Sequence, residues 1–174
     1  MIEGDDVVRF GRCLFGVFAL ILAAGAAWTS PLQSPTDRPI LVVSGAISNA
    51  NTSDKAAFDH AMLRNLDWVE VETFTSFTDG AQVFAGPTLQ SVLDAVGARG
   101  ETLHASAIND YTVQIPVAHA QQHQVILAVE HNGRPMRIRD KGPIWVVYPL
   151  SEAAAAMRPF DGEMIWQLTR IRVE

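Results

Sequence analysis

The sequence predicts an α+β domain: a mixed β-sheet core with a few helices, folded as a single domain. Three observations carry this reading. The chain has 174 residues, the length of one domain with a targeting segment. It is 48% hydrophobic and 18% charged, so it can bury a sizeable core. Stretches with strand character outnumber helical ones by roughly eight to two, judged by apolar alternation and turn signals.

In chain order, the first element is a secretory signal. Arg9 and Arg12 flank an apolar stretch at 14–22, and Ala24-Gly25-Ala26 forms a small-residue cleavage site. The uncharged run at 13–27 is shorter than the ~20 residues that span a bilayer. Residues 1–27 therefore read as a cleaved signal peptide and the mature protein as periplasmic. Residues 28–39, with Pro31, Pro35 and Pro39, read as a linker, and 40–174 as the domain. Residues 40–45 form a strand. Turn residues at 49–53 precede a helix over 54–66, with Phe58, Met62 and Leu66 on one stripe. At 68–75, Val69, Val71 and Thr73 alternate with Glu70 and Glu72 as a half-buried strand. Asp79-Gly80 closes the polar, aromatic stretch 73–80 as a turn. Residues 84–87 lead into a second helix, capped by Thr88, striped by Leu89, Val92, Leu93 and Val96, and stopped by Gly97. Strands follow at 103–108, 112–115 and 125–129, with helical turns at 116–122. Asn132-Gly133 marks a hairpin. An apolar strand at 144–148, an Ala-rich short helix or lip at 151–159 and a last strand at 164–173 complete the chain.

Several chemistries are excluded. The net charge of −6 argues against a nucleic-acid binder, which would show a basic patch. The one cysteine, Cys13, falls in the N-terminal apolar run, so the remainder holds no disulfide, Cys-x-x-Cys or thiolate metal site. No Gly-x-Ser-x-Gly elbow is present. His119 and His123 have the spacing of a zinc pair but lack the accompanying glutamate, and read as solvated.

Two polar knots remain, Asn109-Asp110-Tyr111 and Arg139-Asp140-Lys141-Gly142-Pro143. If the strands between them are neighbours, both loops project from one end of the scaffold, where binding residues concentrate. The set suits a flat heterocycle. Phe74, Phe77, Phe84, Tyr111 and Trp145 offer faces, and Asp79, Asn109 and Asp110 offer partners for an amino-pyrimidinone edge. Arg139 and Lys141 suit a phosphate or carbonyl. The plainer alternative places the aromatics in the core and the polar groups in solvated turns.

The order of motifs resembles a known family. Residues 84–97 resemble the aromatic-x-Gly helix entry of the sulfite-oxidase-type molybdopterin-binding fold. Ile108-Asn109-Asp110-Tyr111, Asn132-Gly133-x-Pro135-Met136 and Arg139-Asp140-Lys141-Gly142-Pro143 follow in that family's sequence. Enzymes of this type hold molybdenum through a cysteine thiolate about ten residues before the aromatic-x-Gly motif. Here that region is 73–76, without sulfur. The resemblance is closest to small periplasmic members lacking that cysteine. It implies a non-enzymatic protein binding a reduced, metal-free pterin and signalling to the periplasmic domain of a membrane partner that makes or degrades cyclic diguanylate. The alternative it implies is a molybdopterin-dependent oxidoreductase whose molybdenum has no cysteine ligand. The candidate ligand-binding residues are Thr75, Phe77, Asp79, Phe84, Asn109, Asp110, Tyr111, Arg139 and Lys141.

Overall fold

The computed structural model describes residues 31–174; the signal peptide expected at 1–27 lies outside them. Residues 31–39 form no regular element, and the amides of Thr36 and Asp37 donate to the Asp59 carboxylate. β1 (Leu41–Gly45) buries Leu41 and Val43 and leaves the alternate side chains facing out. β2 (Ala56–Phe58) pairs antiparallel with it, Leu41 opposite Phe58. The expected helix over 54–66 is therefore shorter. It is α1 (His60–Arg64), capped by Asp59, whose carboxylate accepts from the Met62 amide at 2.8 Å. Pairing with β1 outweighs the helical preference of Ala56 and Ala57, and Phe58 joins the core from a strand.

β3 (Trp68–Thr73) pairs along its whole length with β4 (Gln82–Pro87), where the sequence predicts only a lead-in to the next helix. Phe84 to Pro87 are all buried, so β4 shows no alternation to read. Gly86 is required there: a Cβ would lie 2.1 Å from the backbone oxygen of Leu127. α2 (Leu89–Val96) follows as expected, with Thr88 accepting from the Ser91 amide and Gly97 left-handed at the C-cap.

β5 (Thr102–Ala107) and β6 (Thr112–Pro116) form a hairpin whose tip is the 108–111 turn. After α3 (His119–Gln122) comes β7 (Ile126–Ala128). β8 (Glu130–His131) and β9 (Arg134–Pro135) then turn through Asn132 and Gly133, both at positive φ. A 3₁₀ turn at Ile138–Asp140 leads to β10 (Trp145–Val147), paired with β7. α4 (Glu152–Ala156) precedes β11 (Leu168–Val173).

The strands make a five-stranded sheet, β2-β1-β11-β5-β6, in which only β1 and β11 are parallel. A four-stranded sheet, β3-β4-β8-β9, and the β7-β10 pair complete the scaffold. The main core lies between α2, the inner face of the large sheet and the apolar run 125–129. A second cluster gathers Phe84, Ile126, Trp145 and Val147. This is the expected α+β, mixed-sheet, single-domain architecture.

Candidate functional site

The segment from 160 to 167 organises one end of the molecule. Phe160 anchors its start by stacking on buried Tyr148, ring centroids 4.2 Å apart, and Tyr148 shares a 3.0 Å hydrogen bond with His119 Nδ1. Burial holds the His119 pKa below the usual histidine range; neighbouring His123 lowers it further and Glu163 opposes. At the other end, Gln167 joins the two polar loops. Its carbonyl accepts from the Ile108 amide and its amide donates to Lys141 O, both at 2.9 Å. Its side-chain amide donates to Ile138 O, also at 2.9 Å.

Between this segment, the 73–80 loop and the 107–111 turn lies a cleft of about 330 Å³. Phe77, Tyr111 and Trp166 line it as aromatic faces, and Asn109, Asp161 and Gln167 as polar groups. Phe77 meets Trp166 edge-on at 5.3 Å. Tyr111 is 59% exposed, so its ring is open to an incoming partner. Asp161 accepts from Ser76 Oγ at 2.7 Å, which ties the 73–80 loop to the cleft wall. A mostly apolar concavity of this size with a few convergent polar groups is the usual form of a small-molecule site.

Three of the nine candidate residues line the cleft: Phe77, Asn109 and Tyr111. Six do not. Phe84 is fully buried, stacked on His131 at 4.7 Å, and belongs to the core. Thr75 is buried, shares a hydrogen bond with the Thr78 hydroxyl and accepts from the Phe77 amide, so it shapes the loop. Asp79 is exposed at the turn, where its backbone carbonyl accepts from Gln82. Asp110 pairs with Arg170. Arg139 is exposed and reaches Asp140 at 3.8 Å.

Lys141 lies behind the cleft wall. Its ammonium sits 4.3 Å from the Trp145 ring centroid and 5.5 Å from that of Trp166, and it donates to Phe77 O at 3.0 Å. Burial lowers its pKa below the usual lysine range. Asp140 is held inside its loop by Arg137 Nε at 2.7 Å, and this bond keeps its pKa low. Sequence reasoning misses Asp161, Trp166 and Gln167, which occupy irregular chain before β11. The strand expected over 164–173 begins only at Leu168, and that shortening is what frees Trp166 and Gln167 for the cleft wall.

A family model, the oxidoreductase molybdopterin-binding domain, matches residues 54–159. The chain belongs to that family. No curated protein matches the sequence. The structure is similar to the sulfane dehydrogenase SoxCD from Paracoccus pantotrophus, with a TM-score of 0.58 and 17% identity, covering 76% of this chain. The chain spans 37% of the length of that one. At such identity the likeness speaks for the fold alone, and it agrees with the sulfite-oxidase-type fold expected from the motifs.

The family implies a molybdenum-bearing pterin, and the donor set tests the fit. At 73–76 the side-chain hydroxyls are engaged by protein groups. Thr73 Oγ1 accepts from the Leu150 amide at 2.7 Å and lies 3.1 Å from Leu150 O; Thr75 and Ser76 are bonded as above. None is a soft donor, and the described residues hold no group of three His, Cys, Asp or Glu side chains able to bind a metal. The protein side of a thiolate-ligated molybdenum does not fit here. The cleft itself fits a flat ring, with stacking faces on its walls and an amide and a carboxylate along its rim.

Proposed function

We propose that the cleft binds a pterin ring and that the chain acts as a pterin-binding module, with no oxygen-transfer step of its own. The supporting observation is the pairing of the Phe77, Tyr111 and Trp166 faces with Asn109 and Asp161, beside a 73–76 loop without a soft metal donor. A pterin's amino-pyrimidinone edge presents ring N–H and NH₂ donors, which a carboxylate accepts and an amide complements. The ring enters between Tyr111 and Trp166. Following the small secreted proteins that the sequence resembles, the ligand is a reduced, metal-free pterin. The output is then a signal to the periplasmic domain of a membrane partner.

The family match favours a second reading more directly, a molybdopterin-dependent oxidoreductase whose molybdenum is held without a protein thiolate. Protein isolated from its native host separates the two. Fluorescence after oxidation reports pterin, and elemental analysis reports molybdenum. Pterin without molybdenum is the expected result. Near-stoichiometric molybdenum would establish the second reading, and the absence of both would remove the first.

A further inference from the structure

The outer face of the large sheet carries a second, apolar groove, which shares the 108–111 turn with the cleft but none of its lining residues. Leu41, Val43 and Ile171 turn inward and are buried, while Val42 and its register partner Arg170 turn outward. Beside them, the 108–111 turn and the 3₁₀ turn bring Ile108, 47% exposed, and Ile138, 53% exposed, to the same groove of about 440 Å³. Large aliphatic side chains presented together by two loops form a contiguous patch, which marks an interaction site where scattered ones do not. Gln167 binds both loops, so the patch is preorganised.

Charge identifies the occupant. The lining contains two arginines, Arg38 and Arg170, and no carboxylate, in a chain of net charge −6. Arg38 makes no ion pair among the described residues. Arg170 is paired with Asp110, whose side chain is 85% exposed and free to yield to a competing carboxylate. Thr169 also lines the groove, where the β11–β5 register shifts, and its buried hydroxyl has no partner.

We infer that this groove docks a segment of a partner protein in which carboxylate side chains stand beside aliphatic ones, the aliphatic groups covering Val42, Ile108 and Ile138 and a carboxylate meeting Arg38. This surface deepens the signalling part of the proposed function by giving the partner a place to bind, and it does not depend on which ring fills the cleft.

The test is photo-crosslinking of the full chain in its native host. A photoreactive phenylalanine analogue replaces Ile138 and, as reference, Gln121 on α3. The expected product is an adduct specific to position 138, with a segment carrying carboxylates next to aliphatic residues. That segment, synthesised and titrated against the purified chain, should bind Arg38→Glu weaker by about tenfold or more, the scale of a charge-assisted contact. Changing its carboxylate to lysine should restore binding to the variant. An adduct with lipid, with a second copy of this chain or with a segment lacking carboxylates overturns the inference. So does the lack of a specific adduct, or an affinity indifferent to Arg38→Glu. Pterin binding that persists through those failures would retire the docking surface and leave the cleft untouched.

Discussion

Lys141 places a cation among the rings of Phe77, Trp145 and Trp166, and its bond to Phe77 O fixes the loop that carries one cleft wall. Cation–π contacts contribute about 0.5–2 kcal/mol and a hydrogen bond about 1. Lys141→Ala should therefore lower the stability of the ligand-free protein by about 1–2 kcal/mol in urea melts, and weaken ring binding indirectly. A residue that merely met the ligand would leave the ligand-free melt unchanged. Asp59 is the second residue on which much rests. Its buried carboxylate accepts from the amides of Met62, Thr36 and Asp37, at 2.8, 2.7 and 3.0 Å, and so caps α1 and ties the 31–39 segment to the domain. Asp59→Ala should cost about 2–3 kcal/mol. The Met62 bond leads in holding the Asp59 pKa below the usual aspartate range; burial opposes it and the Asp37 and Thr36 bonds add to it. The unfolded chain therefore binds the proton more readily. This contribution is complete above the unfolded pKa and is lost as pH falls through the folded one. Urea melts between about pH 5 and about pH 2 should show a shallower acid loss for Asp59→Ala than for the parent.

At the scale of elements, the sequence was legible wherever local chemistry and packing agree. α2 has a cap, a stripe and a left-handed glycine, and the structure keeps all three. The Asn132-Gly133 hairpin is equally local. β2 and β4 were not legible. Ala56–Phe58 takes its conformation from β1, and β4 is buried on both faces, so neither shows a period of its own. Gly86 makes the role of β4 testable. Gly86→Ala drives a methyl into the Leu127 backbone and should destabilise the fold by about 3 kcal/mol or more. A methyl group placed on Gly162, on the cleft wall, would meet nothing within 4 Å, and Gly162→Ala should change the melt by no more than about 0.5 kcal/mol. Thermal melts of the two variants check the pair.

For the whole molecule, the two polar loops that stand out in the sequence do meet at one end, but through a residue that the sequence does not flag. Gln167 joins them, and the wall it belongs to comes from irregular chain ahead of β11. Phe84 and Asp110 lie outside the cleft, because composition cannot say that one packs in the core and that the other turns toward Arg170. What survives is a cleft with aromatic faces and a short polar rim on a molybdopterin-family scaffold. The most direct measurement is an anaerobic titration of the purified chain with a tetrahydropterin, followed by tryptophan fluorescence. Trp166 on the cleft wall should give a saturable quench, weakened by about tenfold in Tyr111→Ala, which removes an exposed stacking face, and unchanged in Arg139→Ala. The absence of a saturable quench, or an equal quench in all three proteins, would contradict a pterin site in this cleft.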